Sequence, residues 1–316
     1  MKTALQLAAL ALLLSTILYQ PSTAFAQGSL TPPGAPAPTM KSLAQIEPRT
    51  AISSAPFTIS AAGSYYLTTN LTTTVSNAIV ITASGVTLDL SGFTIASTVA
   101  KAANGGYAIS LVGGLSDITI LNGHIRSGVT NNGSGIYSGS GFGYGIFYSG
   151  TAPVNTRVSG VSVAGCLYYG IYLGVGDSSV VESCTVRTVG SYGIVASTIK
   201  SCVAVDCGNL AIYGDQVSDS RGESVAGLGV YASATALNCY GSSSTAAGLS
   251  AYTAQNCYGY SSSSGTGLYA PYSASGCFGY SYSGTGLNAF LANGCVGSSG
   301  IGTKLSTSHN VNSFAF

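Results

Sequence analysis

The sequence predicts an all-β fold, a single right-handed parallel β-helix, and three observations support this prediction. A pattern of small, polar and apolar residues recurs every 18 to 20 residues in the second half of the chain. The repeats are rich in Gly, Ser and β-forming residues, and no amphipathic helical segment follows the N-terminal apolar run. Because so short a repeat cannot bury a core by itself, neighbouring repeats must stack to form one.

A ladder of cysteines sets the register of the repeat. Six cysteines follow one another at a nearly constant interval, except for one interval of double length, and a serine stands at the position that this interval skips. The ladder consists of Cys184, Cys202, Ser220, Cys239, Cys257, Cys277 and Cys295. The interval between ladder residues therefore predicts the length of one turn, or rung, of the solenoid.

The ladder cysteines have two chemical interpretations. We expect an inward stack of buried thiols, because a free cysteine behaves as a small hydrophobe. The alternative is disulfide bonds within Cys184–Cys202, Cys239–Cys257 and Cys277–Cys295. Rungs about 4.8 Å apart lie within the range that a disulfide tolerates, and an exported protein meets oxidising conditions.

The N-terminal residues 1–26 have the features of a secretory signal peptide. Lys2 is followed by the apolar run from Leu5 to Leu18, and Ala24 and Ala26 flank a small-residue cleavage site. We expect cleavage and a secreted, extracellular or cell-surface location, with the periplasm or an uncleaved N-terminal anchor as alternatives. No later segment is long and apolar enough to predict a membrane span.

The remaining chain divides by composition into three parts. Residues 27–55 contain several prolines and predict an extended linker or arm, and residues 56–306 form the predicted β-helix. Residues 307–316 are a C-terminal strand or tail. Residues 128–150, rich in Gly, Ser and Tyr, predict a long loop from one rung. We expect roughly ten to twelve rungs in all.

The charge content excludes some partners. Charged residues make up 6% of the chain, against about 25% in an average protein, and the net charge is +1. No basic patch for nucleic acid is present, so we expect no nucleic-acid partner. A surface of hydroxyl and amide groups with almost no net charge favours self-association.

Two alternating runs carry a resemblance to a known group. Val86–Ile95 and Ile118–Ile125 each read as a β run that reaches a glycine, Gly92 or Gly123, where a second short strand begins. With the segment from Phe57, they resemble secreted bacterial parallel β-helix repeat proteins of the pectin-lyase-like superfamily, in an uncharacterised branch. The resemblance covers about residues 56–306. It implies the fold and not an activity, because the superfamily includes lyases, hydrolases, tailspikes and adhesins.

The resemblance also implies an enzymatic alternative. Lyases of this shape hold Ca²⁺ with acidic residues and use Lys or Arg as base, and the hydrolases use paired carboxylates. The candidates here are Glu182, Arg187, Asp206, Arg221 and Glu223. They interleave with cations, whereas Ca²⁺ prefers clustered carboxylates. We expect no metal and no cofactor, with Ca²⁺ only under this alternative. The competing interpretation is surface ion pairs, such as Glu182 with Lys200.

Aromatic residues follow the ladder at constant offsets. If the ladder cysteine points inward, the next residue points outward by β alternation. The predicted outward set is Tyr240, Tyr258, Tyr260, Phe278, Tyr280 and Tyr282. Such a strip provides a surface for binding glycans or for self-association. The alternative is that tyrosine is present only because it suits strands.

These observations predict a non-catalytic role. We expect a secreted or cell-surface solenoid with a structural, adhesive or glycan-binding role, for example in an extracellular matrix. Its predicted partners are a polysaccharide or cell-surface glycan and further copies of itself, joined end to end as a homo-oligomer or filament. The alternative is a polysaccharide lyase or glycoside hydrolase that acts on acidic polysaccharide.

Overall fold

A computed structural model describes residues 48–176 and 178–316 of the chain. These residues form a parallel β-solenoid of about 14 turns, with almost no helix and short turns of about 19 residues. The predicted fold class is therefore confirmed. The predicted signal peptide and most of the predicted linker lie outside the described residues. No helix in the described part is long and apolar enough to cross a membrane.

The first half of the solenoid contains the longer and less regular turns. Its elements are β1 (Thr50–Ile52), β2 (Phe57–Ile59), β3 (Gly63–Leu67), β4 (Leu71–Thr73), β5 (Ile79–Ile81), β6 (Val86–Asp89), β7 (Thr94–Ser97), a 3₁₀ turn (Ala102–Asn104), β8 (Tyr107–Val112), β9 (Ser116–Arg126), β10 (Gly128–Asn131), β11 (Tyr137–Ser140), β12 (Tyr144–Ser149), β13 (Val154–Ala164) and β14 (Tyr169–Tyr172).

The second half contains the ladder. Its strands are β15 (Val180–Glu182), β16 (Thr185–Val189), β17 (Ile194–Val195), β18 (Thr198–Lys200), β19 (Val203–Cys207), β20 (Ile212–Ser218), β21 (Arg221–Ser224), β22 (Val230–Leu237), β23 (Tyr240–Ser243), β24 (Leu249–Gln255), β25 (Tyr258–Ser261), β26 (Leu268–Ser275), β27 (Phe278–Ser281), β28 (Leu287–Asn293), β29 (Val296–Ser299), β30 (Leu305–Val311) and β31 (Phe314–Ala315).

The strands stack into three parallel sheets that each turn visits in order. Sheet 1 contains β1, β3, β6, β9, β13, β15, β18 and the second halves of β20, β22, β24, β26, β28 and β30. Sheet 2 contains β4, β7, the second halves of β9 and β13, and β16, β19, β21, β23, β25, β27, β29 and β31. Sheet 3 contains β2, β5, β8, β12, β14, β17 and the first halves of β20, β22, β24, β26, β28 and β30.

The corner between sheets 1 and 2 explains the ladder. In the ladder turns, one residue with a positive φ of 50° to 59° stands immediately before each ladder residue. These corner residues are Ser183, Ser201, Asp219, Asn238, Asn256, Gly276 and Gly294, and Asn312 has the same conformation one turn later. Gly, Asn and Asp enter this left-handed region at the lowest cost, so their place in the repeat follows from the backbone bend.

The structure has more turns than the roughly ten to twelve predicted. Residues 128–150, predicted as one loop, contain the antiparallel hairpin β10–β11 and also β12, which is a full strand of sheet 3. The solenoid also reaches beyond the predicted 56–306. Strand β1 lies inside the predicted linker, and β30 and β31 continue the stack into the predicted tail.

Candidate functional site: an aromatic surface on sheet 3

The ladder residues are buried where sheet 1 turns into sheet 2. The cysteines in the structure are free thiols. Each ladder cysteine donates a hydrogen bond from Sγ to the carbonyl oxygen two residues earlier, at 3.1 to 3.4 Å. The Oγ of Ser220 donates the equivalent bond to Ser218 at 2.6 Å. The shared bond indicates that the ladder stabilises a corner and leaves no thiol open to a ligand.

The ladder has one further member that the sequence reasoning missed. Ser313 lies 18 residues after Cys295 and accepts a hydrogen bond at Oγ from the backbone N–H of Cys295, at 3.0 Å. Its Oγ donates to the carbonyl oxygen of Val311 at 3.3 Å. The spacing from Cys295, together with Asn312 immediately before Ser313, could have identified Ser313 as a ladder residue from the sequence.

The charged candidates divide between two sheets. Glu182 lies on sheet 1, where its Oε1 accepts a hydrogen bond from Arg157 Nη1 at 2.5 Å, and Lys200 stands beside it in register. Arg187 lies exposed on β16 in sheet 2. The structure therefore does not bring Glu182 and Arg187 together at one site.

Asp206 is a structural tether. Its carboxylate accepts hydrogen bonds from Asn131 Nδ2 at 2.7 Å, from the Tyr137 hydroxyl at 2.8 Å and from Thr188 Oγ1 at 2.8 Å. Burial, and then the hydrogen bond to Asp206, raise the pKa of Tyr137 well above its ordinary value, so the hydroxyl remains a donor. These bonds fasten the β10–β11 hairpin to sheet 2.

Glu223 is held in an exposed ion pair. Its Oε1 accepts hydrogen bonds from Arg221 Nη2 at 2.5 Å and from Arg221 Nε at 2.8 Å. Glu223 and Asp206 line the same shallow depression on sheet 2, but both carboxylates bind neighbouring side chains of the protein. Within the described residues, no group of three or more His, Cys, Asp and Glu side chains is arranged to hold a metal ion.

The predicted aromatic strip lies on the outer side of sheet 2 as two columns. Tyr240, Tyr258 and Phe278 stack with ring centroids 5.0 to 5.3 Å apart and planes inclined by 12°. Tyr260 and Tyr280 stack at 5.3 Å and 9°. Because the rings stack along the solenoid axis, their faces cover one another and a ligand would meet mainly ring edges. Tyr282 lies beyond the end of β27, with 55% of its surface exposed.

A second aromatic group, missed by the sequence reasoning, covers sheet 3. We call it the sheet-3 aromatic surface, and it consists of Tyr107, Tyr144, Phe147, Tyr148, Tyr168, Tyr169, Tyr172 and Tyr192. Neighbouring rings in it have centroids 4.8 to 6.3 Å apart, so the eight form one continuous network.

The backbone beneath this surface explains why the rings converge. Tyr144, Tyr169 and Tyr192 are each followed by Gly and Ile, and the three triplets stack in successive turns. A Cβ at Gly145 would lie 2.3 Å from the carbonyl oxygen of Gly170, so the backbones approach too closely for any side chain. The repeated Tyr-Gly-Ile triplet was the pattern that could have indicated three of the eight rings.

The ring orientations differ from those on sheet 2. Tyr144 lies at the centre, and its plane is inclined by 33° to 58° to those of four neighbours, including Tyr107 and Tyr169. Other pairs stack as they do on sheet 2, such as Phe147 with Tyr107 at 13° and with Tyr169 at 15°, so the rings cover one another least around Tyr144. Tyr168, at the edge of the surface, has 37% of its area exposed.

The sheet-3 aromatic surface is electrically neutral. Strands β8, β12, β14 and β17 contain no charged residue. Burial, and then the neighbouring phenols, raise the pKa of Tyr144, Tyr169 and Tyr172 above the ordinary value. Their hydroxyls therefore stay protonated near neutral pH and can both donate and accept hydrogen bonds.

The chain shows no match to any protein-family model, curated protein or solved structure. The parallel β-solenoid is therefore established by the structure, and the resemblance to the pectin-lyase-like superfamily stays a prediction.

Proposed function

We propose that this protein is a non-catalytic, glycan-binding β-solenoid that acts outside the cell. The observation that carries the proposal is the neutral array of eight rings on sheet 3. A sugar ring has apolar C–H faces and hydroxyls at its edge. Tyrosine matches both properties, because it combines an apolar ring with a polar hydroxyl.

Because the strands of the sheet-3 aromatic surface contain no charged side chain, we expect it to bind an uncharged glycan. A carboxylate or phosphate bound at the sheet-3 aromatic surface would lose water without gaining a cation, and burying an unpaired charge is costly. The two aromatic columns of sheet 2 fit this role less well, because they are separate stacks of three and two rings, whereas the eight rings on sheet 3 form one network. Secretion, adhesion and end-to-end assembly are predictions that accompany the proposal.

The enzymatic alternative receives less support. Catalysis by the family mechanism requires carboxylates that can meet a substrate. Glu182 is paired with Arg157, Glu223 is paired with Arg221, and Asp206 accepts three hydrogen bonds from neighbouring side chains. These contacts favour structural roles for the charged candidates.

Affinity electrophoresis of the purified protein in gels that contain neutral polysaccharides (β-glucan, mannan) or an acidic one (polygalacturonate) tests the proposal. We expect retardation by a neutral polysaccharide only. The variant Tyr168→Ala should weaken that binding about tenfold, equivalent to about 1.4 kcal/mol, and its exposed position spares the fold.

The matched control is Tyr258→Ala, which removes an exposed ring from sheet 2. It should leave the binding unchanged. Failure of the wild-type protein to bind any neutral polysaccharide would overturn the proposed function. An equal loss in both variants, with unchanged circular dichroism, would contradict the assignment of the site to sheet 3.

A further inference from the structure

A groove lies on sheet 3 near β28 and β30, away from the sheet-3 aromatic surface. We call it the distal groove, and its volume is about 310 Å³. The residues that matter are Tyr269, Asn288, Phe290, Ser306, Thr307 and Ser308. Two of them present open rings, since Tyr269 is 39% exposed and Phe290 is 49% exposed.

The polar side chains of the distal groove are free to bind a ligand. Within the described part of the chain, the side chains of Asn288, Ser306 and Ser308 have no hydrogen-bond partner. Thr307 is engaged, because its Oγ1 donates to carbonyl oxygens of Phe290 and His309 at 3.2 and 2.8 Å. The edge-on contact between Phe290 and His309, at 4.9 Å, holds that ring at the rim.

The distal groove lies in line with the sheet-3 aromatic surface. One row of sheet 3, in register from turn to turn, reads Tyr172, Val195, Tyr213, Tyr231, Ser250, Tyr269, Asn288 and Ser306. Val195 and Ser250 are buried within it. No residue of this row is charged. Asn288 is six strands from Tyr172, which corresponds to about 29 Å at the usual strand spacing.

We propose that the distal groove is a second glycan subsite, and that one uncharged polysaccharide chain lies along the solenoid axis across both sites. This inference rests on the proposed function and adds the length and direction of the ligand. Rings with unpaired hydroxyl and amide groups occur at both ends of the row, and the residues of the row itself are uncharged. Asp215, which lies beside the row on β20, is already bound by Gly176 N–H and Ser233 Oγ. A chain that reaches both sites gains the second contact at a high effective concentration.

The test is isothermal titration of the purified protein with β-1,4-linked glucose, β-1,3-linked glucose and β-1,4-linked mannose oligosaccharides of increasing length. We expect the affinity to rise at least tenfold, in one step, where the extended sugar reaches about 29 Å. Phe290→Ala and Asn288→Ala should each remove that step and leave the affinity for short oligosaccharides unchanged. Tyr168→Ala should weaken the binding of short and long oligosaccharides alike.

The control variant is Asn293→Ala, an exposed asparagine of the same strand that lies on sheet 1. It should keep the step. Binding without any step, or a step that survives in both Phe290→Ala and Asn288→Ala, would overturn the two-subsite inference and leave the proposed function standing. Absence of binding to all three series, together with no retardation by neutral polysaccharide, would overturn both.

Discussion

The two halves of the solenoid contribute strands to the same three sheets, but they differ in turn length and in the residues that they bury. In the first half, the residues stacked along the inner column of sheet 3 are unevenly spaced in the sequence: Ile79, Ile109, Ile146, Ile171 and Ile194. From Ile194 to Leu305 the column is evenly spaced, and each step stays close to the turn length of about 19 residues. The first half therefore accommodates long insertions, whereas the second half shows only single-residue register shifts, for example between Gly214 and Gln216.

The residues inside the sheets also differ along the solenoid. The first half buries mainly Ile, Leu and Val, and the first ladder turns still bury Ile199, Ile212 and Val217. From Val230 onward, each turn buries one Leu or Val with Ala, Cys, Gly and Ser. Small side chains bring the sheets close together, and the corner bond of the ladder leaves little room for extra residues. Large side chains make a wider core that stays filled while loops vary in length. The regular turn length therefore begins at Ile194, where Ile and Val are still buried, and the core of small residues begins later, at Val230.

Substitutions in the core should lower the free energy of unfolding the most, in both halves of the solenoid. Ile120→Ala, in the first half, should lower the free energy of unfolding by about 2–5 kcal/mol, because it leaves a cavity. Ala254→Leu, in the second half, should lower it by about 1–3 kcal/mol, because nothing there can move aside. Urea denaturation followed by circular dichroism measures both. Unchanged stability in Ala254→Leu would contradict the tightly packed ladder core.

Loss of the hydrogen bonds by which Asp206 holds the hairpin should have the next largest effect on the free energy of unfolding. In Asp206→Asn, an amide NH₂ replaces one of the oxygens that accept bonds from Tyr137, Asn131 and Thr188, at a cost of about 1.5–3 kcal/mol. Limited proteolysis should then cut the hairpin, residues 128–140, faster than in the wild-type protein. The control is Glu223→Gln in the same depression, for which we expect an unchanged cleavage rate. Equal cleavage in both variants would show that Asp206 is no tether.

Alkaline pH should lower the stability of the first half, because its tyrosine hydroxyls lose their protons. The pKa values of Tyr144, Tyr169 and Tyr172 are raised in the folded state, so the folded protein keeps protons that the unfolded chain loses. Their contribution to stability is complete below about pH 10 and is lost as the pH rises through the folded pKa values. Urea midpoints measured from about pH 8 to about pH 11 should fall, and less steeply in Tyr144→Phe. Identical pH profiles in the two proteins would refute this linkage.

A ladder substitution should have the smallest effect. Cys257→Ser should change the free energy of unfolding by no more than about 1 kcal/mol, because Ser220 already makes the same corner bond. Cys257→Val is the matched comparison, since it cannot donate that bond, and it should cost more. Urea denaturation under reducing conditions measures both variants. A larger loss in the serine variant would show that the thiol itself is required.

The fold class, the turn length of the second half and the corner position of the ladder could all be predicted from the sequence. In a solenoid the main contacts join each residue to its equivalent one turn away, so a constant turn length places every contact at a constant spacing. The register between Tyr240 and Tyr258, or between Glu182 and Lys200, follows directly from that spacing.

The tertiary structure alone decided the sites that depend on turns of unequal length. Tyr107, Tyr144, Tyr169 and Tyr192 stand at unequal intervals along the chain, so no constant period connects them. The contact between Tyr137 and Asp206 spans 69 residues and depends on how the hairpin folds back. Where the loops vary, the distance along the chain no longer reports the distance in space, and only the folded turns bring these side chains together.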